Sequence, residues 1–82
     1  NILIMTNLEK LTKVFADTFG VEENAVQNLQ YQGIEQWDSV GHMTLVAAIE
    51  DELGIELDTD DIIDMSSFEK AKEIVAKYNI AL

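Results

Sequence analysis

The segment Trp37-Asp38-Ser39-Val40-Gly41-His42-Met43, running on to Ile49-Glu50-Asp51-Glu52-Leu53-Gly54-Ile55, decides how this chain folds. Gln36-Trp37 reads as a turn. Asp38 has the short acceptor side chain of a helix N-cap, and Gly54 is the residue type that ends helices in a left-handed conformation. Between them Val40, Met43, Val46, Ala47, Ile49 and Leu53 give the apolar positions of an amphipathic helix. With Asp38 as the cap, Ser39 falls at the first helical position. Its hydroxyl then lies outside the core, near backbone N–H groups that have no partner within the helix. An added phosphate ester there would sit in the favourable field of the helix N-terminus. Gly41 costs up to ~1 kcal/mol relative to Ala inside a helix. It reads either as room for the close approach of a partner or prosthetic group, or as slack.

Working outward, Thr6-Asn7-Leu8-Glu9 has the form of a capping box. Leu8, Leu11, Val14 and Phe15 follow at helical spacing and Gly20 supplies a stop, which predicts a first helix from about Asn7 to Phe19. Val21 to Trp37 reads as a long connection. Its apolar residues Val26, Leu29, Tyr31, Ile34 and Trp37 predict that it packs on the helices, because unstructured connections of that length are uncommon in small domains. Asp60 to Met65 predicts a short helix with Ile62, Ile63 and Met65 inward. Ser66-Ser67-Phe68-Glu69 has the form of a second capping box, and Phe68, Ala71, Ile74, Val75 and Tyr78 carry a last helix. Lys72 and Lys77 fall towards its C-terminal end, where cations suit the helix dipole. Ile55-Glu56-Leu57 alternates like a strand but is too short to pair alone and reads as loop. The expected fold is all-α, a small four-helix bundle of three longer helices and one short one, with a long loop between helices one and two.

The length, 82 residues, allows one domain, expected to span residues 6–82, with residues 1–5 a non-native remnant or a disordered start. Met5 is a candidate initiator. Such a domain buries only roughly 60% of its extended-chain surface. The chain contains no cysteine and one histidine, so neither disulfides nor a Cys/His zinc site reinforce this thin core. The absence of cysteine fits the cytoplasm. No apolar run approaches the ~20 residues of a membrane helix. The formal net charge is -11, and the five lysines are Lys10, Lys13, Lys70, Lys72 and Lys77, so the middle of the chain holds no cation. Such a surface repels nucleic acid and anionic lipid and attracts basic patches on other proteins.

The Asp38-Ser39-Val40 stretch, the acidic Glu50-Asp51-Glu52 end of the same helix, Gly54 after it and the short and last helices together resemble an acyl carrier protein. The resemblance covers about Thr6 to Tyr78. It implies a carrier rather than an enzyme, with 4'-phosphopantetheine attached to Ser39 by a phosphopantetheinyl transferase that draws on coenzyme A. The arm's thiol would hold acyl groups as thioesters for acyl-loading and acyl-processing enzymes with basic docking patches. Asp38, Glu50 and Asp51 would meet those patches, and Met43 and Ala47 would give the apolar contact between them. Val40 replaces the more usual leucine, and Gly41 and Thr44 stand where fatty-acid-synthesis members often carry acids. The last two departures, Gly41 and Thr44, point to a dedicated lipid, polyketide, glycan or amino-acyl pathway. The implied protein is a monomer. Val46, Ile49, Ile62 and Ala71 read equally as the lining of a cargo site and as ordinary core. Trp37 reads as core.

Three other readings compete. An unmodified acidic helical module would bind a basic partner without any arm. Asp58 to Glu69 has acids at four EF-hand positions, but Ile62 and Ile63 stand where an oxygen ligand and a glycine are needed. A Ser39/His42 hydrolase would need an orienting group and an oxyanion site. His42, three residues after Ser39, reads instead as an exposed helix residue.

Overall fold

A computed structural model describes residues 4–82. The expectation for residues 1–5 lies partly outside the described residues; within them, Ile4 and Met5 are exposed and non-helical. Helix α1 spans Asn7–Phe19, α2 Ser39–Leu53, α3 Thr59–Asp64 and α4 Phe68–Ala76, and a 3-10 helix spans Glu23–Asn28. The described chain is thus all-helical with five helices and no strand. The all-α class is as expected, and the long loop expected between helices one and two contains a 3-10 helix of its own. A further helix was not expected because Glu23–Asn28 exposes every residue except Val26 and the half-buried Ala25, so no apolar stripe marks it.

Local chemistry sets the helix ends. Thr6 Oγ1 accepts from the Glu9 N–H and Glu9 Oε1 accepts from the Thr6 N–H, the expected capping box. Asp38 Oδ1 accepts from the Gly41 N–H at 2.8 Å and so caps α2. Gly20 and Gly54 close α1 and α2 at φ of 67° and 66°, the left-handed region that glycine enters without strain. The second expected capping box is corrected: Ser67, not Ser66, caps α4, its hydroxyl accepting from the Lys70 N–H. The third helical residue is therefore a lysine, which cannot complete a box. Lys72 and Lys77 do not serve the α4 terminus either. Lys72 pairs with Glu69 one turn back, and Lys77 reaches Asp61 of α3.

The core gathers on an aromatic cluster. Phe15 meets Phe19, Trp37 and Phe68 edge to face, with centroids 6.2, 5.6 and 5.0 Å away. Trp37, fully buried as expected, stacks on Phe19 at 5.1 Å. The cluster joins α1, α4 and the connection that leads into α2, and its geometry adds about 0.5–1.5 kcal/mol per pair to the area buried. The connection is also tied by backbone: Tyr31 N–H donates to the Ser66 carbonyl and Phe68 N–H to that of Leu29, flanking an antiparallel bridge between Gln30 and Ser67.

The apolar positions expected for α2 divide in two. Val46 and Ile49 are buried, together with Leu45, which the sequence reading passed over. Val40 and Met43 are 76% and 54% exposed, and Ala47 is exposed with them. In α3, Met65 is buried just past the helix end and Ile62 is half-buried. Ile63, expected inward, is 72% exposed. The inward position on α3 goes instead to Asp61, which is paid for by two partners: Lys77 Nζ and Tyr78 OH each donate to its carboxylate at 2.6 Å. These donors, the ammonium first, hold the Asp61 carboxyl below its ordinary range, and Asp61 in turn raises Lys77.

Candidate functional site

Ser39 is exposed at the first position of α2, as the Asp38 cap requires. Its Oγ lies 3.1 Å from the Tyr31 hydroxyl, and either oxygen can donate. Tyr31 was expected only as a packing residue. Its ring stands edge-on to Trp37 and His42, with centroids 6.4 and 5.6 Å away. Around it the chain folds tightly: Gly33 N–H donates to the Gln30 carbonyl, Gln32 N–H to that of Trp37, and Gln32 takes a φ of 62°.

Beside Ser39 opens a groove of about 410 Å³, bounded chiefly by Tyr31, His42, Met43, Ile62 and Met65. Ile63 and Ser66 also line it. A shallower depression on the other side of Ser39 is formed by Val40, Met43, Thr44 and Ala47. Of the four expected cargo-lining residues, Ile62 alone faces the groove. Val46, Ile49 and Ala71 are 3%, 0% and 0% exposed and belong to the core.

His42 corrects the expectation of an exposed residue. It is half-buried; Trp37 Nε1–H donates to its Nδ1 at 2.9 Å, and its Nε2 meets the Ile62 carbonyl at 2.7 Å. A carbonyl only accepts, so Nε2 carries the proton and the tautomer is fixed. Both nitrogens are engaged, and neither is left to take a proton from Ser39. His42 thus links the connection, α2 and α3 into the wall of the groove. The Trp37–His42 spacing of five residues was the only sequence sign of this bond.

Gly41 is neither slack nor an opening for a partner. A Cβ there would stand 2.0 Å from the Gln36 carbonyl oxygen and 3.3 Å from Asp38 Oδ1. The turn that delivers Asp38 and Ser39 to the helix start occupies that space with its own backbone.

The acids expected to dock partners differ in their freedom. Asp38 spends one carboxylate oxygen on its cap. Glu50, half-buried, accepts from the Leu57 N–H at 2.8 Å and so folds the 54–57 loop back onto α2. Asp51 and Glu52 are exposed. In the EF-hand-like stretch, residues 59–64 are helical where a metal loop would turn, and Asp61 is taken by Lys77 and Tyr78. Among the described residues, no helix is long and apolar enough to cross a membrane. In comparisons with known proteins, no protein-family model and no curated protein matches the chain.

Proposed function

We propose that this chain is an acyl carrier protein, which bears 4'-phosphopantetheine on Ser39 and presents acyl groups to partner enzymes. The observation that carries the reading is an exposed hydroxyl at the start of an acidic helix, at the mouth of an apolar groove, in a chain without cysteine. The residues fit the group: Ser39 is open to a transferase, the α2 amides favour an anion, and the groove offers apolar cover to an arm. When bound, the arm supplies the thiol that the chain lacks.

In loading, Ser39 Oγ attacks the pantetheine-bearing phosphorus of coenzyme A. The Oγ–P bond forms and the pyrophosphate P–O bond breaks. The adenosine bisphosphate leaves, and the serine proton passes to a base of the transferase. His42 takes no part, since both of its nitrogens are engaged. Its work is to keep the groove wall in register. Docking falls on the outer side of α2. Met43 and Ala47 offer the apolar contact, Asp51 and part of Asp38 and Glu50 the charge. The uncharged first turns of α2 favour enzymes of a dedicated pathway over those of general fatty acid synthesis.

The test is intact mass before and after incubation with coenzyme A, magnesium and a promiscuous phosphopantetheinyl transferase. The expected result is a gain of one phosphopantetheine group, lost in Ser39→Ala while that variant melts as the parent does. No gain, with a transferase active on another carrier, rejects the carrier and leaves an unmodified acidic module that binds basic partners.

A further inference from the structure

We infer that the Tyr31 hydroxyl is the hydrogen-bond donor that anchors the phosphodiester on Ser39, which makes Tyr31 a positioning residue of the modified site; the inference rests on the carrier reading above. In the unmodified protein the two hydroxyls are 3.1 Å apart and either can donate. Esterification removes the proton from Ser39 Oγ. From then on that oxygen only accepts, and the two anionic phosphate oxygens beside it only accept as well. Tyr31 is then the only possible donor of the pair, and a bond from its hydroxyl to a non-bridging phosphate oxygen next to Oγ would be charge-assisted.

Few side chains near Ser39 can share this role with the backbone amides of the first turn of α2. No lysine or arginine occurs between Lys13 and Lys70. Lys13, Lys70, Lys72 and Lys77 are paired with Asp17, Glu73, Glu69 and Asp61. Both His42 nitrogens are engaged. Among the groove's side chains this leaves the hydroxyls of Tyr31 and Ser66, and Tyr31 is the one already bonded to Ser39. Tyr31 is also fixed in advance. Its N–H is bonded to the Ser66 carbonyl, and its ring is held against Trp37 and His42. A donor locked by its own surroundings orients an arm without the entropy loss of recruiting a flexible side chain. The effect is to hold the root of the arm towards the groove.

The experiment compares phosphorus NMR spectra of the loaded parent, Tyr31→Phe and Ser66→Ala. Phenylalanine keeps the ring against Trp37 and His42, and the melting temperature of each unloaded variant checks the fold. The expected result is a phosphodiester resonance in Tyr31→Phe displaced towards its position in the urea-unfolded loaded parent, with Ser66→Ala unmoved. A resonance in Tyr31→Phe that coincides with that of the folded parent overturns the inference and leaves the carrier reading intact. Failure of every form to load, with an active transferase, overturns both.

Discussion

The two long sides of α2 are both apolar, yet they answer to different demands. The inner side, Leu45, Val46 and Ile49, is closed by α1 and the rest of the core. The outer side, Val40, Met43 and Ala47, stays largely exposed and borders Ser39. Burial makes the inner side a matter of stability. The outer side contributes little to it, since apolar groups that stay in water gain nothing on folding. A helix that is apolar on both sides loses the single stripe that a periodic reading looks for.

The largest effect is expected where both sides begin, at Gly41. Gly41→Ala gains up to ~1 kcal/mol of helix propensity. It also drives a methyl group into the Gln36 carbonyl, a backbone atom that cannot swing aside. The clash should prevail, and because it is with backbone at 2.0 Å it should cost about 3 kcal/mol or more, at or above the top of the usual overpacking range of about 1–3 kcal/mol. That is a large share of the stability of a domain this small, and urea titration of the variant would show it. If Gly41→Ala is as stable as the parent, the turn is not packed as described.

The next largest effect separates the two sides of α2. Leu45→Ala should cost about 2–5 kcal/mol, as a buried leucine does. Met43→Ala, on the same helix, should stay within about 0.5 kcal/mol of the parent. Equal losses in the two denaturation curves would mean that Met43 is covered in solution.

The smallest effect concerns pH, and it arises away from α2. The Asp61 carboxyl is held down in the fold by Lys77 and Tyr78. Its contribution to stability is therefore present above the unfolded aspartate value of about 3.9. It disappears as the pH falls through the lower folded value. Asp61→Asn should be less stable than the parent at neutral pH, and the difference should shrink on acidification below about pH 4. Melting curves from neutral to acid pH would check this, and a constant gap would sink it.

Much of the fold was legible because its signals are local. Thr6 and Glu9 named the start of α1, and Asp38, Gly20 and Gly54 named other helix ends by side-chain type alone. Ser39 at the first turn of α2 follows from the same local logic. What escaped the sequence depends on groups brought together from afar. The Tyr31–Ser39 and His42–Ile62 bonds join residues that share no helix. The Glu50–Leu57 bond turns an expected docking acid partly inward. Asp61 could not be recognised as buried, because its partners Lys77 and Tyr78 lie in another element. Ile63 shows the converse: an apolar residue two positions after a buried aspartate reads as core from its type alone, yet it is exposed.

The backbone bonds between Leu29–Tyr31 and Ser66–Phe68 give the connection ahead of α2 two spans of unequal freedom. Before the bridge, an extra residue at the exposed Glu22-Glu23-Asn24 would disturb the start of the 3-10 helix, away from Ser39. After it, the chain from Gln30 to Trp37 is measured off between the bridge and the helix start, its turns pinned by the Gln30 and Trp37 carbonyls. A single residue inserted between Tyr31 and Trp37 would slide Tyr31 off Ser39. The second half of the loop thus acts as a ruler for the site, and the first half does not.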